Sequence, residues 1–254
     1  METLKEFVKL ENFLIAAHRG ASGKAPENTI AAFRLAVDLG ANMIETDLQF
    51  TDDGHIVAYH DLDHIINNSK ISHDNFNTLE KIKNIDAGAW FDPKFKGERI
   101  PQLEEILDFA KDRAYLNLEI KANEKSAYKK QLEQMIDIIY NFGFQYHLMF
   151  SSFNYGLLKL LKSIDSEIHT AAIKRPGQNH LPSQLANETG SEAFICSLDE
   201  LNDDINRDVL ENDLFLGVYS VDNEQQLEYA MKYNITALGT NYPGRIKKLL
   251  TKYL

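Results

Sequence analysis

Glu45 and Asp47 stand two positions apart in the apolar run MIETDLQF, and the period of two in a β-strand aims both carboxylates to one side. Such crowding of anions calls for a cation. Two carboxylates with further oxygen donors make a hard site for one divalent cation, Mg²⁺ or Ca²⁺, with ligands at about 2.0–2.6 Å. Glu119 ends a second apolar run, YLNLE, with Lys121 two residues on, and is the expected third ligand. His18-Arg19 follows FLIAA, and His60-Asp61 follows HIVAY. An imidazole can take or give a proton, and a guanidinium can hold an anion. Taken singly, each pair has an ordinary explanation: a polar strand face, a turn, or a surface ion pair worth little. Their joint position at the ends of apolar runs is what points to a site.

Those residues need a frame. Strand patterns fall at 13–17, 43–50, 55–60, 115–120, 147–151, 168–173, 193–197, 214–221 and 235–240. Helical patterns lie between most of them, at 29–39 behind Asn28 as the expected cap, 103–110, 125–140, 155–161 and 223–232. Alternation of this kind predicts a mainly parallel sheet covered by helices. Nine strands exceed the eight of a closed barrel, and FTDDGHIV explains the surplus. A parallel crossover needs a dozen or more residues, so the Asp53-Gly54 turn predicts an antiparallel hairpin strand at about 55–60. A two-residue loop there would set Asp47 opposite His60. The expected fold is a single α/β TIM-type (β/α)8 barrel domain over 1–254, with a small insertion at about 62–100. Its site lies at the C-terminal ends of the strands.

With 44% hydrophobic and 26% charged residues, the 254-residue chain has the composition of an ordinary folded protein. A net charge of -11 argues against nucleic acid or an anionic membrane surface as partner, so an anionic substrate must be attracted locally. Cys196 is the single cysteine, which excludes an intramolecular disulfide. No run approaches the roughly 20 apolar residues of a membrane span, and the charged start METLKEFVKLE lacks a signal-peptide core. A cytoplasmic location without stable membrane insertion is expected.

HRGASGKAPENTIAAF, ANMIETDLQFTDDGHIVAYHD, DAGAWFDPKFKGERIPQLEEIL, LNLEIK, SSFN and VYSVDNEQQLEYAMKYNITALGTNYPGRI together resemble the glycerophosphodiester phosphodiesterase family, across about 13–246. The resemblance implies a TIM-type barrel that splits a small-molecule glycerophosphodiester into sn-glycerol 3-phosphate and an alcohol with a divalent metal. By it, Glu45, Asp47 and Glu119 hold the metal, and His18 and His60 are the catalytic pair. Arg19 and Lys121 contact the phosphate, and Tyr219 forms an aromatic wall for glycerol. His18 is assigned as base and His60 as acid; attack by water and attack by the glycerol 2-hydroxyl both fit. The chain departs from the family pattern at Tyr219-Ser220-Val221-Asp222, where relatives commonly read Trp-Thr-Val-Asn, and at Thr240-Asn241, where they often read Thr-Asp. Asp222 is thereby expected to bring an anion near an anionic substrate. The alternatives are a lysophospholipase D, which needs an apolar surface for an acyl chain, and a non-catalytic glycerophosphodiester-binding barrel.

Other residues read more plainly. His64 and His73 are expected in exposed loops, His147 and His169 as hydrogen-bonded core residues, and His180 without an evident partner. Trp90, Phe91 and Phe95 either shelter a leaving group at the barrel mouth or pack beneath a loop. Glu27 and Asn28 begin a helix, and the resemblance implies that one of them also supports the site.

Overall fold

A computed structural model describes residues 1–10, 13–61, 78–121 and 128–253 of the chain. One sheet holds nine strands: β1 (Leu14–His18), β2 (Met43–Phe50), β3 (Ile56–Ala58), β4 (Tyr115–Ile120), β5 (Leu148–Ser152), β6 (Thr170–Ile173), β7 (Ala193–Ser197), β8 (Phe215–Tyr219) and β9 (Ala237–Thr240). All but β3 run parallel to their neighbours, and pairing of β1 with both β9 and β2 closes these eight into a barrel. β3 lies outside the ring, antiparallel to the far end of β2. The eight-stranded barrel with one extra hairpin strand is the architecture expected from the alternating pattern.

Helices α2 (Ile30–Asp38), α4 (Leu103–Ala110), α5 (Lys129–Asn141), α6 (Tyr155–Ile164), α7 (Pro182–Thr189), α8 (Asp203–Glu211), α9 (Glu224–Ala230) and α10 (Pro243–Leu250) follow the barrel strands. A short helix α3 (Leu79–Ile82) follows the hairpin, and α1 (Leu4–Lys9) precedes β1. In α4 the buried positions are Leu103, Ile106, Leu107 and Ala110, the i, i+3, i+4, i+7 stripe of a helix lying on a sheet. These side chains meet the outward face of the strands: Ile44, Leu116, Leu118, Phe150, Phe194, Leu216 and Leu238 are all buried in one cluster with them. The opposite, inward face is then free to carry polar groups at the upper rim. At the lower end, Leu4 of α1 packs with Leu14, Met43 and Tyr115. A reciprocal hydrogen-bonded pair between Thr3 and Glu6 caps that helix.

The hairpin differs from expectation by one residue. Leu48 pairs with Ala58 and Phe50 with Ile56, so the loop is Asp52-Asp53-Gly54 rather than Asp53-Gly54. Thr51 closes it, with its amide donating to the His55 carbonyl at 2.9 Å and its hydroxyl accepting from the His55 amide at 2.8 Å. Gly54 takes φ +86°, the left-handed conformation that ends a three-residue hairpin loop. Continued, this register would bring Tyr59, not His60, opposite Asp47. The strand instead stops at Ala58, and Gln49 Nε2 donates to the carbonyls of Tyr59 and His60, each at 3.1 Å. Gln49 shares the face of Glu45 and Asp47, so the chain carrying His60 is drawn back towards them.

The other correction is at α2. Its cap is Thr29, whose hydroxyl accepts from the Ala32 amide at 3.2 Å. Asn28 is freed from capping and used elsewhere. Within the expected insertion, Ile82, Ile85, Ala87 and Ile100 bury a small cluster against Val57 of β3; residues 62–77, with His64 and His73, lie outside the described residues.

Candidate active site

The parallel register explains how three acidic side chains converge. Glu45 is level with His18 on one side and Asn117 on the other, while Asp47 is level with Glu119. Ser151 continues that level on β5. The three carboxylates offer oxygen atoms that all lie within 4.8 Å of one another, and all three residues are buried. Burial pushes the Glu45 carboxyl well above its ordinary value, with the charges of Asp47 and Glu119 adding to the effect. Burial also raises Glu119, opposed by Lys121 and reinforced by Asp47. Asp47 goes the other way: burial opposes its ionisation, but Lys121, Arg19 and the Asn28 amide outweigh it.

The donor set suits a hard cation. Glu45 Oε1, Asn117 Oδ1 and Ser151 Oγ are buried without a hydrogen-bond partner, and Asp47 Oδ1 faces the Lys121 ammonium at 3.1 Å. Oxygen atoms left without protein donors on the inner wall are what an oxygen-ligated divalent ion and its waters need. Glu45, Asp47 and Glu119 can therefore hold a metal ion.

Arg19 and Lys121 flank this cluster. The Arg19 backbone amide donates to Glu45 Oε2 at 2.8 Å, its Nε lies 3.1 Å from Asp47 Oδ2, and its Nη1 donates to Glu27 Oε2 at 3.0 Å. Arg19 takes φ +57°, and Gly20 follows at φ +81°. A Cβ on Gly20 would come within 2.7 Å of Ala32, so only glycine lets this loop pass so close to α2. Lys121 Nζ bonds Glu119 Oε1 and sits 5.8 Å from the centre of the Phe153 ring. Its ammonium is held charged: burial opposes this, but Asp47 and Glu119 prevail.

Both imidazoles reach the same cavity, a space of about 370 Å³ lined among others by His18, Arg19, Glu45, His60, Glu119 and Tyr219. His18 closes β1 with Nδ1 2.9 Å from Asn241 Oδ1. Burial lowers its pKa, and so does Arg19. His60 is lowered mainly by burial, with Asp47 pulling it up and Arg19 and Lys121 pushing it down. Tyr219 stands at the rim at the end of β8, its phenol pushed up to about 12 by burial and then by Glu119 and Glu200, so it stays neutral.

Three further residues bear on the site: Asn28, one of the two that the family resemblance implied would support it, and Ser22 and Phe153, which were not assigned to it from sequence. Asn28, at φ +55°, donates to Asp47 Oδ2 at 2.9 Å and accepts from the Thr46 hydroxyl at 2.7 Å. Ser22 donates to the His18 carbonyl or to Asn241 Oδ1, each 2.8 Å away. Phe153 lines the cavity beside Lys121. The signal at Asn28 was legible as a polar residue at a helix start, which ordinarily means a cap. Asp222 does not enter the cavity as expected. Its carboxylate accepts from Thr240 Oγ1 at 3.0 Å and from the Asn241 amide and side chain at 2.8 and 2.7 Å, behind His18.

The remaining candidates do not join the carboxylate cluster. Trp90, Phe91 and Phe95 pack edge to face with one another at 5.6 and 5.8 Å and are not among the cavity-lining residues. His147 stacks on Tyr115 and bonds the Met1 carbonyl, while His169, 3.9 Å from Glu192, lines the same cavity from just before the start of β6. His180 packs edge-on against Tyr155.

Residues 18–245 match the profile of the Glycerophosphoryl diester phosphodiesterase family. The chain is 33% identical to the glycerophosphodiester phosphodiesterase of Caldanaerobacter subterraneus subsp. tengcongensis, over 94% of this chain and 98% of that one. It is 29% identical to a Bacillus subtilis glycerophosphodiester phosphodiesterase, over 96% and 88%. Among solved structures, a phosphodiesterase of Oleispira antarctica in complex with the product sn-glycerol-3-phosphate superimposes with a TM-score of 0.82 at 22% identity, covering 96% and 99% of the two chains.

Proposed function

Since this chain belongs to the glycerophosphoryl diester phosphodiesterase family, we propose that it hydrolyses glycerophosphodiesters to sn-glycerol 3-phosphate and an alcohol, using one divalent cation, Mg²⁺ or Ca²⁺, held by Glu45, Asp47 and Glu119. The observation that carries the reading is the cluster of these three buried carboxylates, with Asp47 paired to Arg19 and Lys121, at a cavity that Glu45, Glu119, both cations and both imidazoles line. When bound, the metal supplies Lewis-acid stabilisation of the charge gathering on the phosphoryl oxygens.

The chain's own residues do the rest. The Arg19 guanidinium and the Lys121 ammonium bind the non-bridging oxygens, where charge builds as the phosphorus is attacked. His18 takes the proton of the attacking oxygen, and His60 gives a proton to the alkoxide as its bond to phosphorus breaks. Burial lowers the pKa of both rings, which suits the neutral base and does not by itself separate the two roles. Tyr219 offers a flat face and a neutral hydroxyl to the glycerol unit. On this reading the domain spans 1–254 and acts on a small diester in the cytoplasm.

The test is release of glycerol 3-phosphate from glycerophosphocholine, with EDTA and with Mg²⁺ or Ca²⁺ restored. Turnover abolished by chelator and recovered with metal is the expected result. Binding without turnover under either metal would instead leave a glycerophosphodiester-binding barrel, and preference for lysophosphatidylcholine would point to a lysophospholipase D.

A further inference from the structure

Asp222 and Asn241 touch each other, and His18 lies at the end of the contact. Asp222 follows β8, and Asn241 follows β9. Asp222 is pinned through its backbone, whose amide donates to Gln226 Oε1 at 2.8 Å and whose carbonyl accepts from Arg245 Nη1 at 2.8 Å. Its carboxylate can only accept hydrogen bonds, so the Asn241 group 2.7 Å away must be the NH₂. The amide oxygen then faces the other way, 2.9 Å from His18 Nδ1. An amide oxygen also only accepts, so Nδ1 must carry the hydrogen. In a neutral imidazole that leaves Nε2 bare.

We infer that Asp222, acting through the Asn241 side chain, sets the ring tautomer of His18 and so presents an unprotonated Nε2 to the reacting centre. Both are positioning residues, since neither lines the cavity; the inference rests on His18 being the base. A carboxylate directly on Nδ1 would select the same tautomer but would also favour the charged ring. Here an amide stands between them, and the charge sits one residue further back. The charges that act on His18 are Arg19 beside it, Asp47 of β2 and Glu27 of the loop before α2.

The test reads the tautomer directly. In the metal-loaded full-length protein with ¹⁵N-labelled histidine, at about pH 8 where the ring is neutral, His18 is identified by the signal lost in His18→Gln. The expected state is Nδ1–H. Asp222→Asn keeps the size but lets the Asn241 amide turn, so the ring signals move towards Nε2–H. With glycerophosphocholine, kcat then falls roughly 10- to 100-fold while KM stays within about two-fold. Combining Asp222→Asn with Asn241→Asp restores one carboxylate and one amide and is expected to recover the Nδ1–H signal and most of kcat. A wild-type ring in the Nε2–H form overturns the inference without any variant having to fold. So does an Asp222→Asn protein with unchanged tautomer and kcat, or a double variant no better than the single one. If the wild type fails to cleave glycerophosphocholine, it is the proposed function that falls, and the ring signals still decide the tautomer.

Discussion

Asn28 and Asp47 form a buried side-chain pair, amide to carboxylate at 2.9 Å, between a loop residue at φ +55° and the centre of a barrel strand. The same Asn28 oxygen accepts from the Thr46 hydroxyl and, at 3.2 Å, from the Asp47 amide, so the side chain is clamped on three points. Asp47 is thereby aimed before any ligand arrives. Removing such an outer partner of a metal ligand commonly costs 10- to 100-fold in metal affinity or activity. Asn28→Ala is expected to weaken Mg²⁺ or Ca²⁺ binding by about that factor, measured by calorimetric titration. Binding as tight as in the wild type would refute this role.

The two imidazoles should be separable by leaving group. His18→Ala and His60→Ala are each expected to lower kcat on glycerophosphocholine by roughly 10²- to 10⁴-fold without loss of metal. A diester with a nitrophenol leaving group needs no proton on departure, so it should restore much of the rate in His60→Ala and little in His18→Ala. Rescue of the opposite variant would reverse the assignment of base and acid.

Metal binding should become more stabilising as pH rises. The folded-state pKa of Glu45 is raised well above the ordinary carboxyl value by burial, then by Asp47 and Glu119. Without metal, the folded protein therefore holds a proton that the unfolded chain has released. Stability is fully present below the unfolded-state value and falls as pH climbs towards the folded one. A divalent cation displaces that proton and removes the penalty. The rise in Tm on adding Mg²⁺ or Ca²⁺ is expected to grow as pH climbs above the ordinary carboxyl range; a constant increment would contradict the assigned direction.

The outward face of the strands should dominate stability without touching chemistry. Leu118 is fully buried in the layer between barrel and helices, on the strand that carries Glu119 on its other side. Leu118→Ala is expected to cost about 2–5 kcal/mol in denaturant unfolding. Because neighbouring strand residues point to opposite faces, KM should move far less than stability.

Much of this protein was legible along the chain. Strand periodicity marked β2, β4 and β7 at their observed bounds, and a period of two put Glu45 and Asp47 on one face. These are local properties: a side chain's direction in a strand follows from its immediate neighbours. Of the helices that follow barrel strands, α7, α8 and α10 were missed, and so were the short α1 and α3. In α8 only Ile205 and Val209 are buried, which is too thin a stripe for a periodic signal. What the tertiary structure alone decided were contacts between distant segments. His18 meets Asn241 across 223 positions, Asn28 leaves its helix start for Asp47, and His60 arrives by a bend held by Gln49 rather than by hairpin register. No local pattern encodes such meetings, because they depend on closure of the barrel, which brings β1 against β9 and the far ends of the chain to one rim.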